Sequence, residues 1–277
     1  MEATMRLNSK WLAVLLILAV IPLSGCNFLS KLRARDNMNK GVKQFTDQKY
    51  DAAAQYFEKA VDLDPDSEFT ETARMYLAIA YQSQFVPGST DPKSEEMAQK
   101  GIAIFKQVVD SARDPANPSD SVKNAMLSIA GLYYQLKRYP ESKEWCTRSL
   151  KVAPQNPEAY YRIAVMDFDD SLDKTGVQGE MVDMMTPDEK AKVQANIDEG
   201  LTCLAKALEF RPNYFDAMQY ENLLWREKAK FEKDAKAKAE LELQADKVYQ
   251  KAIALKLKAD QEEAQKPKKI GGLSHTK

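Results

Sequence analysis

The 277-residue sequence predicts an all-α protein built from stacked helical hairpins. Three observations predict it. First, a spacing of small residues recurs: Gly41, Ala53 twelve residues on, Ala60 seven further, and Pro65 five further. It returns as Ala130, Ser142, Ser149 and Pro154, and in part as Gly200, Ala207 and Pro212, with Ala164 supplying the first member ahead of an insertion. Second, apolar residues between these positions fall at helical period. Third, prolines close three of the copies, where they cannot continue a helix. A fixed internal period marks an architecture in which each unit covers its neighbour's apolar face.

The first hairpin runs from Met38 to Pro65. Val42 and Phe45 mark its first helix; Ala53, Tyr56, Phe57, Ala60, Val61 and Leu63 mark its second; Thr46–Lys49 is a polar turn. Gly41, Ala53 and Ala60 let the two backbones approach, and Tyr50 and Phe57 fill the volume beside that contact. The second hairpin opens with Leu77, Ala78 and Tyr81 and resumes at Gly101, Phe105 and Val108. The intervening residues 85–93 carry turn formers and read as a surface loop. The third runs from Met126 through Tyr139 to Pro154. The fourth begins at Pro157 and closes with Gly200, Leu204 and Ala207 after a long insertion. Within it, Thr186-Pro187-Asp188-Glu189 reads as an N-cap, a proline at the first helical position and a capping-box glutamate, so a long helix is expected from Pro187 to about Phe210. The fifth, Ala217 to Ala252, is degenerate, with a first helix expected to be long and charged.

These positions resemble the tetratricopeptide repeat (TPR), over roughly residues 37 to 260. Cys146 stands where that family usually has a large aromatic. The resemblance implies a right-handed α-solenoid of about five hairpins over 37–262, the last degenerate and ending in a long charged helix, with insertions near 85–95 and 169–190. It also implies a concave face, lined mainly by the first helix of each hairpin, that binds a protein or peptide. Carried onto this chain, that face includes Met38, Val42, Phe45 and Thr46; Met75, Ile79, Gln82 and Ser83; Asn124, Leu127, Tyr134 and Gln135; and Glu158, Tyr161, Val165 and Phe168. The set lacks the Lys/Arg/Asn pattern with which chaperone-binding relatives clamp a terminal carboxylate. It is apolar and aromatic, the composition that anchors protein interfaces.

The amino terminus carries a second signal. Arg6 and Lys10 precede an apolar run from Trp11 to Leu23, too short to span a bilayer and suited to a signal-peptide core. Leu23-Ser24-Gly25-Cys26 then resembles the bacterial lipoprotein lipobox. The resemblance implies a signal peptide over 1–25, a diacylglycerol on Cys26, and a tether over 26–36. Asn27 after the cysteine favours the outer membrane, facing the periplasm.

Composition excludes several classes of function. The formal net charge is −1, so no nucleic-acid partner is implied. Residues 226–277 hold a local excess of five positive charges, read as a solvated helix with i,i+4 ion pairs and a disordered tail over 263–277. The one histidine, His275, lies in that tail, which leaves no Ser-His-Asp, Cys-His or histidine-rich metal arrangement. No catalytic residue, cofactor or metal is expected. Cys146 and Cys203 read as buried free thiols, although secretion permits a disulfide. The carboxylates between Asp167 and Asp183 do not match an EF-hand spacing and read as a plain acidic loop projecting from the solenoid.

The sequence thus leads to a lipid-anchored, periplasm-facing scaffold that recruits a protein or peptide. A subunit of an envelope assembly machine, of the outer-membrane β-barrel assembly or pilus biogenesis type, shares the same plan of lipobox and repeats. A glycan-processing enzyme would need a catalytic carboxylate in a cleft, and the sequence marks none.

Overall fold

In the computed structural model, the backbone is described for residues 9–265 except Glu68, and side chains for residues 28–262 with the same exception. Among the described residues there are ten α-helices and one short 3-10 turn. The chain divides into two compact units, Met1–Trp145 and Cys146–Lys277.

The first unit holds α1 (Ser9–Thr46), α2 (Tyr50–Leu63), α3 (Thr70–Gln82), α4 (Pro92–Asp110), α5 (Asp120–Gln135) and the start of α6 (Tyr139–Val152). Consecutive helices pair, and the first helices of successive hairpins, α1, α3 and α5, also touch. The recurring small residues sit where the two helices of each hairpin meet. Ala53, Ala60, Ala78 and Ala130 have no exposed surface. A Cβ on Gly41 would lie 2.6 Å from the Phe57 ring, and one on Gly101 would lie 3.3 Å from the Ala78 carbonyl. In the third hairpin the hydroxyl of Ser142 goes further and donates to the Ala130 carbonyl at 2.7 Å, so a serine serves where another copy uses alanine.

Local signals start and stop these helices. Asp91 caps α4 by accepting from the Lys93 amide at 2.9 Å, with Pro92 at the first helical position. The loop between α3 and α4 therefore ends at Asp91, two residues short of the expected boundary. Gln48 and Lys137 occupy the equivalent turn position of the first and third hairpins, and both adopt positive φ, 59° and 57°. A shared backbone solution underlies the two copies whose sequences agree best.

The second unit holds the rest of α6, then α7 (Pro157–Thr175), a 3-10 turn (Val182–Met184), α8 (Pro187–Phe210), α9 (Phe215–Ala229) and α10 (Ala235–Gln265). The expected capping box is formed: Thr186 Oγ1 accepts from the Glu189 amide at 3.3 Å, and Glu189 accepts from the Thr186 amide at 2.8 Å. α8 accordingly spans Pro187–Phe210, as the motif predicts. A Cβ on Gly200 would lie 3.6 Å from Ala164 Cα and 2.7 Å from Leu224, so α7, α8 and α9 converge on that residue.

Two expectations need correction. The long charged helix of the fifth hairpin is its second, α10, of 31 residues; α9 is an ordinary 15-residue helix. α10 packs on α9 through Met218, Val248 and Ala252, with an ion pair from Arg226 to Asp246 and Lys256 over the Phe215 ring. The acidic segment is also not a plain loop, since its first half, through Asp173, belongs to α7. Asp167 is buried on α7, and Asp170 is held by Lys174 at 2.6 Å and by Asn196 at 2.7 Å. The backbone beyond α7 is tied to the end of α9 by a buried polar cluster. Lys230 donates to the Gly176 carbonyl at 2.7 Å and pairs with Glu227, whose other oxygen accepts from Thr175 Oγ1 at 2.8 Å.

Candidate protein-interaction site

In the first unit, the residues assigned to the interaction face divide by how much surface they keep. Met38 and Phe45 on α1 pack against the core formed by Ala53, Ala54, Phe57, Leu77, Ala80, Tyr81 and Met97. Phe45 meets Tyr50 and Tyr76 edge-on, at ring centroid distances of 5.3 and 5.5 Å. Met75 and Ile79 on α3 and Leu127 and Tyr134 on α5 are half-buried, and Tyr134 lies 5.8 Å from the Tyr139 ring of α6. Asn124 and Gln135 are exposed. The face is therefore a half-buried apolar strip bounded on α5 by two amides. Helical spacing alone predicts this, because a residue on a first helix points partly at the next hairpin and partly at solvent.

The second unit gathers four rings on α7 and at the start of α9. Tyr161 lies 5.0 Å from Tyr214 and 5.5 Å from Tyr220; Phe168 meets Tyr220 edge-on at 5.5 Å. Phe168 is only 9% exposed and serves chiefly as packing; Tyr161 and Tyr220 stay half-exposed. Glu158 organises one side. It accepts from the Tyr214 hydroxyl at 2.6 Å and from Arg162 Nε at 3.1 Å, while Arg211 lies 4.3 Å from the Tyr214 ring. Burial raises the pKa of Tyr161, Tyr214 and Tyr220 above the usual phenol value, and in Tyr214 the Glu158 carboxylate adds to that. These phenols are therefore neutral donors at ordinary pH.

Tyr214 and Tyr220 were absent from the sequence-derived set. Starting the fifth repeat at Ala217 left Tyr214 outside it. A useful signal was Pro212-Asn213-Tyr214, which repeats the proline-led entry of Pro154 to Pro157 one hairpin earlier.

The remaining polar features are structural. Cys146 is buried, and burial pushes its thiol up to about 12, against an ordinary value near 9. Cys203 is likewise buried and forms no disulfide. Among the described residues no three His, Cys, Asp or Glu side chains gather as a metal site, and no helix is long and apolar enough to cross a membrane. The side chain of Cys26, and with it the lipobox, lies outside the described residues.

Helical hairpins closed by small residues at a fixed crossing define the tetratricopeptide class of repeat protein. The tetratricopeptide repeat family model matches residues 38–67 and 124–156, the first and third hairpins. This chain carries tetratricopeptide repeats, and its all-α fold is that of TPR proteins. Among solved structures, the crystal structure of MamA protein aligns with a TM-score of 0.55 at 15% identity, over 83% of this chain and 94% of that one. MamA 41-end from Desulfovibrio magneticus RS-1 aligns with a TM-score of 0.53 at 11% identity, over 85% and 98%. No curated protein sequence matches the chain. The fold is that of a protein–protein interaction scaffold.

Proposed function

We propose that the protein is a lipid-anchored scaffold of the bacterial cell envelope, held at the outer membrane through Cys26 and presenting its repeats to the periplasm. The α1–α3–α5 strip and the Tyr161–Tyr220 surface recruit a protein or peptide. The observation that carries the recruiting role is the half-exposed apolar and aromatic strip on the first helices, the surface where repeats of this kind meet their ligands. The anchoring role rests on the basic start, the short apolar run and the Leu23–Cys26 motif. Two or more acyl chains hold a protein stably on a membrane, whereas one anchors it only reversibly.

A photo-crosslinking amino acid placed at Asn124 or Gln135, both exposed, tests the recruiting role without disturbing the core. A discrete adduct from these positions, absent when the probe replaces exposed Leu243 on α10, supports it. Adducts of equal yield from all three positions would remove the first-helix face as the binding surface.

A further inference from the structure

Ahead of its first packed repeat, α1 carries an apolar face turned away from the fold. Phe28 is 66% exposed, Leu29 47% and Leu32 48%. At 3.6 residues per turn these three side chains fall within about 100° of one another around the helix. Ala34, two residues beyond Leu32, lies on the opposite side and has no exposed surface. Met38 and Val42 follow it on that packed side, against the core of the first unit. A cluster of large apolar side chains left in water marks a contact surface.

The surrounding charges select the partner. Lys31, Arg33 and Arg35 are exposed, and no acidic residue stands between Asn27 and Arg35. The next carboxylate, Asp36, is held by Lys40 at 2.6 Å. Around the helix axis, Lys31 and Arg35 border the apolar arc on one side and Arg33 on the other. A matching partner is apolar beneath the arc and negative along both of its edges. A bilayer of anionic phospholipid has that profile, because an interfacial helix buries its apolar face at the acyl boundary and sets its basic side chains among the headgroups.

We propose that residues 28–35 lie on the surface of an anionic bilayer, with Phe28, Leu29 and Leu32 inserted. The proposal deepens the anchoring reading and rests on it for the nearness of the membrane, since Phe28 is two residues from Cys26. In place of a flexible tether over 26–36 it sets a helix continuous with the first hairpin, because α1 runs through this stretch to Thr46. A docked α1 fixes the tilt of that hairpin against the bilayer, where a flexible tether leaves it free to turn.

The test encodes a photo-crosslinking amino acid in the full chain, expressed in bacterial cells, at Phe28, Leu29, Ser30, Leu32 or exposed Gln55 of α2. Mass spectrometry reads both phospholipid adducts and the lipid on Cys26. Adducts are expected at Phe28, Leu29 and Leu32 and lost at Gln55 and at half-buried Ser30, which points to the other side of the helix. Yields that simply decline along the chain, with Ser30 above Leu32, would overturn the proposal. So would an adduct to protein in place of phospholipid at Leu32. Each basic residue beside an anionic surface is worth about fivefold in binding. The purified protein should therefore give the Leu32 adduct in vesicles of phosphatidylcholine with phosphatidylglycerol and lose it in phosphatidylcholine alone. Lys31→Gln/Arg33→Gln/Arg35→Gln should lose it in both, and equal yield in either comparison would overturn the docking. The two readings fail separately. Lipid on Cys26 without the face pattern removes only the docked helix, and the face pattern on a chain with unmodified Cys26 removes only the anchor.

Discussion

Replacing Lys230 by methionine isolates the polar cluster that ties the segment after α7 to the end of α9. The substitution keeps the length and apolar stem of the side chain and removes only the ammonium. That group makes three contacts: the Glu227 carboxylate, the Gly176 carbonyl at 2.7 Å and Thr175 Oγ1 at 3.2 Å. Glu227 is 4% exposed at its side chain and would keep a single donor, Thr175. Leaving one member of a buried pair uncompensated costs about 3–5 kcal/mol. The lower end applies here, because Lys230 itself keeps 12% of its surface and the segment it holds can open to water. A loss of about 3 kcal/mol in the second unit is expected, read by Trp225 fluorescence during urea unfolding, with faster amide exchange over residues 176–182. Adding Glu227→Met should recover most of the loss, since removing both charges leaves neither one stranded. A single variant that unfolds like the parent, or a double variant no more stable than the single, would refute this account of the cluster.

Three other outcomes follow from features already described. Gly41→Ala places a methyl against the fully buried Phe57 ring, itself stacked on Tyr76 at 5.4 Å; overpacking minus the helical gain of alanine gives a net loss of about 1–2 kcal/mol, measured by chemical denaturation. Cys26→Ser should shift the protein from the membrane to the soluble fraction or leave an uncleaved precursor, scored by fractionation and mass spectrometry; normal processing and retention would remove the anchor. Tyr81, Tyr161 and Tyr214 have phenol pKa values raised by burial, so their contribution to stability is complete below the unfolded value of about 10 and is lost as pH rises above it. Absorbance at 295 nm should show these phenols ionising only together with unfolding.

The hairpins were legible in the sequence because their crossings demand small residues at one spacing, and Gly101 against Ala78 or Gly200 against Ala164 admit little else. The start of α8 was legible because capping is local: Thr186 and Glu189 satisfy each other within one turn. The docking of the acidic segment was not. Lys230 and Glu227 lie within a run of alternating charges, and their partner Thr175 stands 52 residues from Glu227. Nothing in the spacing marks which of many lysines turns inward. The aromatic cluster was half legible, through Tyr161 and Phe168. Its other half depended on where α9 begins, and helix boundaries are the part of a pattern most easily misread.

The length of α10 has a consequence for how the chain breathes. Its 31 residues extend about 46 Å, against about 22 Å for α9. The contacts of Arg226 with Asp246 and of Phe215 with Lys256 set an antiparallel register, in which α9 spans only the stretch from about Glu242 to Lys256. About seven residues overhang at one end and nine at the other. An unsupported helical stub of that length is near its own helix–coil midpoint in water. Heating will therefore unwind both ends of α10 gradually, well below the cooperative transition, and ellipticity will slope where fluorescence is flat.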